Sequence, residues 1–195
     1  MNRTTFATAT ALATLLAATA CDSGGRSTTG KEAQAMTIRV TSPGFADGAT
    51  IPAKHTCEGA DVSPALAWAD VPPGTKSLAL IVDDPDAPDP AAPRMTWVHW
   101  VLYNLPTHAT GLPEAVAPRA LPAGTRAGRN DFGSTVWGGP CPPIGRHRYF
   151  FKVYALDVVL PDLGAPKAAD LVRAMAGHVI GQGVLVGTYR KGSGM

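Results

Sequence analysis

Two short segments of this 195-residue chain place ionisable groups among large aromatic ones: Thr96–Asn104 (TWVHWVLYN) and His147–Asp157 (HRYFFKVYALD). In an extended strand, successive side chains point to opposite faces. Alternation predicts Trp97, His99, Val101 and Tyr103 on one face of the first segment, with Val98, Trp100 and Leu102 on the other. In the second segment it predicts His147, Tyr149, Phe151 and Val153 together, opposite Arg148, Phe150, Lys152 and Tyr154. If both strands lie in one sheet, His99, His147 and Tyr149 face a common hollow with aromatic walls and a few convergent polar groups, as small-molecule pockets are built.

Three chemistries suit such residues. The first is binding without catalysis. The second is hydrolysis, with Asp84, His99 or His147, and Ser134 or Cys141 as acid, base and nucleophile. Against it, Ser134 sits in Gly-Ser-Thr with no Gly-x-Ser-x-Gly elbow, and Cys141 lies between Pro140 and Pro142. The third is a metal held by His99, His147 and Asp84, but no compact HExxH or CxxC signature accompanies them. The expectation is therefore a non-enzymatic binding site with no metal and no cofactor. Taken singly, a strand histidine is more often a hydrogen-bonded structural residue than a ligand, so the conjunction carries the reading.

The elements that must position these residues are short apolar runs punctuated by Pro and Gly: Thr37–Thr41, Ala65–Trp68, Ser77–Val82, Thr96–Asn104, Arg148–Asp157 and Val184–Tyr189. Their lengths and their β-branched and aromatic content predict strands. Ser77–Val82 (SLALIV) is apolar throughout, as in a strand covered on both faces. Lys167–Gly177 has the apolar spacing of a helix, with Gly177 as its C-cap. The stretches Asp83–Pro93 (DDPDAPDPAAP) and Gly138–Gly145 (GGPCPPIG) are too proline-rich to continue a central strand and predict stiff loops at the rim of the hollow. Arg126, Arg129, Arg146 and Arg148 are placed either at the mouth of the pocket or on a solvated face.

The size of the chain and its 45% hydrophobic residues suit one packed domain, and 21 Gly with 18 Pro exclude a helical bundle. A formal net charge of +2 provides no basic field for a phosphate backbone, so nucleic acid is excluded as a partner.

At the N-terminus, Arg3 precedes an uncharged Ala/Leu-rich stretch, Thr4 to Ala20, that is shorter than a membrane span and ends in the small residues Ala18-Thr19-Ala20. Residues 1–20 read as a secretory signal. Cys21 follows directly, as in a bacterial lipobox, although Ala18 stands where Leu is usual; the alternative is an ordinary signal peptide ending near a cysteine. Lipidated Cys21 and a Gly/Ser/Thr-rich tether over 21–35 would hold a domain of residues 36–195 at the outer face of a bacterial cell membrane. Removing 1–20 leaves 16 basic against 15 acidic residues. Of the remaining cysteines, Cys57 and Cys141 either pair in an oxidising compartment or stay as two buried thiols.

Taken in order, these motifs resemble the phosphatidylethanolamine-binding protein family, in its bacterial Raf-kinase-inhibitor-like branch. The matching pieces are Cys57-Glu-Gly-Ala-Asp-Val-Ser-Pro64 leading to Trp68, Asp84-Pro-Asp-Ala-Pro88, Trp97-Val-His-Trp-Val-Leu-Tyr-Asn-Leu-Pro106, and Gly139-Pro-Cys-Pro-Pro-Ile-Gly-Arg-His-Arg-Tyr149. Gly177-His-Val179 and Gly187-Thr-Tyr189 fit the C-terminal end, so the resemblance spans nearly all of 36–190.

The resemblance implies a mainly β fold, a large antiparallel sheet packed on a smaller one with peripheral helices, and an anion pocket formed by Asp84, Trp97, His99, Gly139, Pro140, His147 and Tyr149. It also implies ligands such as phosphate, acetate or the phosphoethanolamine head of a lipid, and in some branches inhibition of proteases or kinases by protein contact. The donors expected for the anion are both imidazoles, the Tyr149 hydroxyl and backbone N–H groups around Gly138-Gly139. Asp84 is expected to orient a histidine, to accept from a protonated phosphate oxygen, or to meet an ammonium. Affinity is expected to rise as pH falls through the histidine range.

Overall fold

The computed structural model describes residues 36–192; the signal-peptide, Cys21 and tether readings lie outside them. The strands are β1 (Met36–Thr37), β2 (Arg39–Thr41), β3 (Leu66–Ala69), β4 (Ser77–Asp84), β5 (Trp97–Leu105), β6 (Gly111–Leu112), β7 (Arg126–Ala127), β8 (His147–Leu156) and β9 (Val179–Tyr189). A six-stranded sheet has the order β1-β9-β8-β4-β5-β7, and a three-stranded sheet the order β2-β3-β6. Every pairing is antiparallel except that of β1 with β9.

β4 occupies the middle of the large sheet, and all eight of its residues are buried. Leu78, Leu80 and Val82 join the core between the sheets, with Trp68, Trp100, Leu102 and Phe151. Ala79 and Ile81 face the other way into a second core under the one α-helix among the described residues, α1 (Ala168–Met175), which contributes Leu171 and Met175. Each fully buried Leu, Ile or Val adds about 1.5–3 kcal/mol, and a strand apolar on both faces is the only kind that fits between two such layers. Gly177 ends α1 at φ +80°, a left-handed conformation open to glycine at little cost. Among the described residues, the peripheral helices expected from the sequence are α1 and two single-turn 3₁₀ segments, Ala53–His55 and Pro118–Ala120.

Two local expectations need correction. The first Pro-rich loop begins later than composition suggests, because β4 runs on through Asp83 and Asp84. Both aspartates stay in the sheet because β8 answers them: Lys152 Nζ donates to Asp83 at 2.6 Å, and the ring of His147 meets Asp84.

Strict alternation also fails in β5. Val82 pairs with Trp100, but Asp83 pairs with Val98, so His99 is an extra residue opposite no partner on β4. This β-bulge splits the strand into two phases. Trp100 and Leu102 enter the inter-sheet core, whereas Val101 and Tyr103 face α1 and part company with His99. In β8 the alternation holds: His147, Tyr149, Phe151 and Val153 are buried, and Arg148 is exposed.

Candidate functional site

A cavity of about 350 Å³ opens where the end of β4, the start of β5 and the start of β8 meet. The strands supply Asp84, Trp97, His99, His147 and Tyr149; the loops supply Ala87, Pro88, Met95, Phe132, Cys141, Pro142 and Pro143. Antiparallel pairing of β4 with both neighbours brings these strand ends together although they are far apart in sequence. The bulge at His99 turns its ring toward Tyr149, with centroids 5.1 Å apart in a T-shaped contact, and Trp97 stands edge-on to Phe132 at 5.4 Å.

His99 is almost fully buried, at 2% exposure. Its Nδ1–H donates to the carbonyl of Gly138 at 2.6 Å, while Nε2 has no partner among the described residues. Burial pushes its pKa down to about 4, so the ring is neutral at physiological pH and Nε2 offers a lone pair. The Tyr149 hydroxyl is likewise buried and without a partner. Burial first, and then the carboxylates of Asp84 and Asp86, push the phenol up and keep it protonated as a donor.

His147 is differently placed. Its Nδ1 lies 2.7 Å from Asp84 Oδ2 and its Nε2 lies 2.9 Å from the Ile144 carbonyl oxygen. Both nitrogens are engaged, so the expectation that each imidazole donates to a ligand is corrected: His147 is a wall residue held in place. Asp84, raised by burial against the lowering effect of His147, also accepts from the backbone N–H of Asp86 at 2.8 Å. Of the roles considered for Asp84, the geometry provides the orienting of a histidine.

The two Pro-rich loops are tied down by partners the motifs do not reveal. Asp86 receives the backbone N–H of Arg148 at 2.9 Å and its guanidinium at 2.9 and 2.7 Å, fastening the Asp-Pro-Asp-Ala-Pro turn to β8. Arg148 holds the Asp86 carboxyl below its usual range. Cys57 and Cys141 form a disulfide, which leaves the free-thiol alternative aside and fixes the second loop. Cys57 N–H also donates to Pro140 O at 3.1 Å.

Gly139 and Pro140 are buried behind the cavity wall and do not line it. The N–H of Gly139 donates to Asp61 Oδ1 at 2.7 Å, and that of Gly138 to the His99 carbonyl at 3.2 Å. Neither is free for an anion. The space a Gly138 side chain would need is filled by the Phe132 ring, 2.5 Å from the position of a Cβ. The close approach that glycine permits here is thus made by the protein's own side chains.

The arginines do not line the cavity. Arg126 pairs with Asp162, Arg129 reaches the Gly133 carbonyl, Arg146 reaches Thr50 and Thr188, and Arg148 takes Asp86. Among the described residues no three His, Cys, Asp or Glu side chains form a set able to hold a metal ion.

Sequence reasoning missed Asn130, which is 3% exposed and buttresses the back of the site. Its amide donates to the carbonyls of His99 and Val136, and its oxygen accepts from Ser134 N–H. It missed Phe132 and Met95 as wall residues as well; their loop positions carry no periodic signal.

Comparison with known proteins agrees with this architecture. The profile of the family described as phosphatidylethanolamine-binding protein matches residues 41–190. A UPF0098 protein of Methanothermobacter thermautotrophicus is 50% identical over 150 residues, covering 76% of this chain and 95% of that protein. Another, from Chlamydia pneumoniae, is 47% identical over 154 residues, covering 79% and 99%. Among solved structures, a phosphatidylethanolamine-binding protein homologue from Chlamydia trachomatis superposes with a TM-score of 0.72 at 41% identity, covering 80% of this chain and 98% of that one. YbcL of E. coli, described as a member of the mammalian PEBP family, gives a TM-score of 0.71 at 35% identity, covering 78% and 98%. With three-quarters of its length matched, this chain belongs to the phosphatidylethanolamine-binding protein family.

Proposed function

We propose that the cavity binds a small anion or phosphorylated head group, of the phosphate or phosphoethanolamine type, and leaves it chemically unchanged. The observation that carries this is the pair of buried polar atoms on its wall, His99 Nε2 and Tyr149 Oη, with no partner among the described residues. A buried unsatisfied polar group costs roughly 1–3 kcal/mol, and a bound phosphoryl or carboxyl group accepts from the Tyr149 hydroxyl and, where one of its oxygens carries a proton, also donates to His99 Nε2. Binding is favoured over hydrolysis because the two candidate nucleophiles are engaged elsewhere. Cys141 is in the disulfide, and Ser134 lies outside the wall, its hydroxyl accepting from Val136 N–H. Half-exposed Met95 and Phe132 beside the wall favour a ligand whose acidic head continues into an apolar group.

The N-terminal sequence supports a further part of this reading: export, and a lipid on Cys21 that holds the domain at the outer face of the cell membrane. Calorimetric titration with O-phosphoethanolamine tests the binding site. Saturable heat is expected, with affinity falling about ten- to a hundredfold in Tyr149→Phe, as loss of one hydrogen bond to a charged group requires. Absence of binding at millimolar ligand sinks the proposal.

A further inference from the structure

We infer that the Cys57–Cys141 bridge is a redox modification site that sets the affinity of the cavity: bridged, the cavity holds its ligand, and reduced by a dithiol, it lets the ligand go. This rests on the anion-binding reading above and adds the regulation of that site. Thiol exchange needs a thiolate to reach a sulfur, and exposed disulfides are the ones open to it. Both half-cystines are exposed, and Cys141 is itself part of the cavity wall, beside Pro142 and Pro143. One cross-link thus touches both the solvent and the place of the ligand.

Its two ends are held unequally. Next to Cys57, the Glu58 carboxylate accepts from the Tyr189 hydroxyl and from Gly192 N–H, and Thr56 Oγ1 donates to Ala53 O at 2.8 Å. On the Cys141 side the backbone is tied at Gly139, by Asp61, and at Pro140, whose carbonyl accepts from Cys57 N–H. It is tied again at Ile144, whose carbonyl oxygen meets the ring of His147. Between them Pro142 and Pro143 have no N–H to give. The bridge pins this stretch of wall, and after reduction the packing of buried Pro142 is left to hold it. The ties at Gly139 and Pro140 survive reduction, so Cys141 stays beside Cys57 and the bridge can reform.

In the exchange, one thiolate of the dithiol attacks a bridge sulfur and the S–S bond breaks, leaving a mixed disulfide. The second thiol of the reductant then displaces the protein sulfur: the dithiol closes to its own disulfide, and Cys57 and Cys141 each end with a proton. A ligand seated against Cys141 favours the bridged form by the same factor by which bridging favours the ligand.

The test uses the full chain carrying Cys21→Ala, in which Cys57 and Cys141 are the cysteines that remain. Dithiothreitol without denaturant should reduce the bridge at a rate proportional to its concentration and unchanged by dilute urea, with the circular dichroism preserved. A rate that levels off with reductant and climbs with urea shows that the bridge opens only through unfolding, and overturns the inference whether or not a ligand binds. Calorimetry with O-phosphoethanolamine should give an affinity about tenfold or more lower for the reduced protein, restored on reoxidation. Saturating O-phosphoethanolamine should shift the balance with dithiothreitol toward the bridged form by the same factor. Equal affinity of the two forms, or loss of the fold on reduction, overturns the inference and leaves the anion site standing. Failure of the bridged protein to bind overturns the anion site and this inference together.

Discussion

Asp84 Oδ2 and His147 Nδ1 lie 2.7 Å apart in the wall of the cavity, and the opposite nitrogen of the same ring rests 2.9 Å from the Ile144 carbonyl. One imidazole thus joins the end of β4 to the loop leading into β8 before any ligand arrives. The two histidines that look equivalent in the sequence are unequal in the fold: His147 shapes the pocket and His99 faces its contents.

Burial of neutral His99 makes the fold acid-sensitive. The folded ring titrates at about 4 against 6.5 in the unfolded chain. Between those values the unfolded state binds more protons, so stability is whole above about 6.5 and falls as pH drops, by about 3 kcal/mol at pH 4. Urea unfolding at pH 7.5, 6 and 5 should show this decline, and His99→Gln should flatten it. Asp83 and Asp84, raised by burial, act in the opposite sense in both proteins and cancel in the comparison. Identical slopes for the two proteins would rule the explanation out.

The Cys57–Cys141 bridge spans 84 positions and ends in the cavity wall. The chain-entropy relation gives a stabilisation of about 4 to 5 kcal/mol for a loop of this length. Cys57→Ser with Cys141→Ser should lower the free energy of unfolding by about 3 kcal/mol or more and weaken ligand binding in parallel. Wild-type protein unfolded under strong reductant should match the double variant; a reduced protein as stable as the oxidised one contradicts the assignment.

Gly138 and Phe132 are coupled through the space they share. A methyl group at 138 meets the Phe132 ring at 2.5 Å, so Gly138→Ala should cost about 1–3 kcal/mol by overpacking. In a Phe132→Ala background the same substitution should be nearly neutral. The double-mutant cycle measures this coupling, and additive effects would show that the ring does not depend on the glycine.

Lipidation is checked by labelling. Metabolic incorporation of palmitate into the full chain in a bacterial host should disappear in Cys21→Ala, and the protein should shift from the membrane pellet to the soluble fraction. Label that persists in the variant removes the anchor.

The positions of β3, β4, β5 and β8, helix α1 with its Gly177 stop and the alternation along β8 could be read from the sequence, because each depends on periodicities of two or 3.6 residues within one segment; the short strands β6 and β7 and the first half of β9 could not. So could the family, through the long motifs around Asp84, His99 and His147. The face on which Trp100 lies could not be read, because a bulge in β5 is set by its register against β4, in the pairs Val82–Trp100 and Asp83–Val98 that are distant along the chain. Nor could the fate of the donors: Gly139 N–H goes to Asp61, 78 residues away, and His147 Nδ1 to Asp84, 63 away. Local sequence determines what each residue can offer. Only the packed chain decides which offers are already taken, and among the described residues it leaves His99 Nε2 and the Tyr149 hydroxyl unclaimed on the cavity wall.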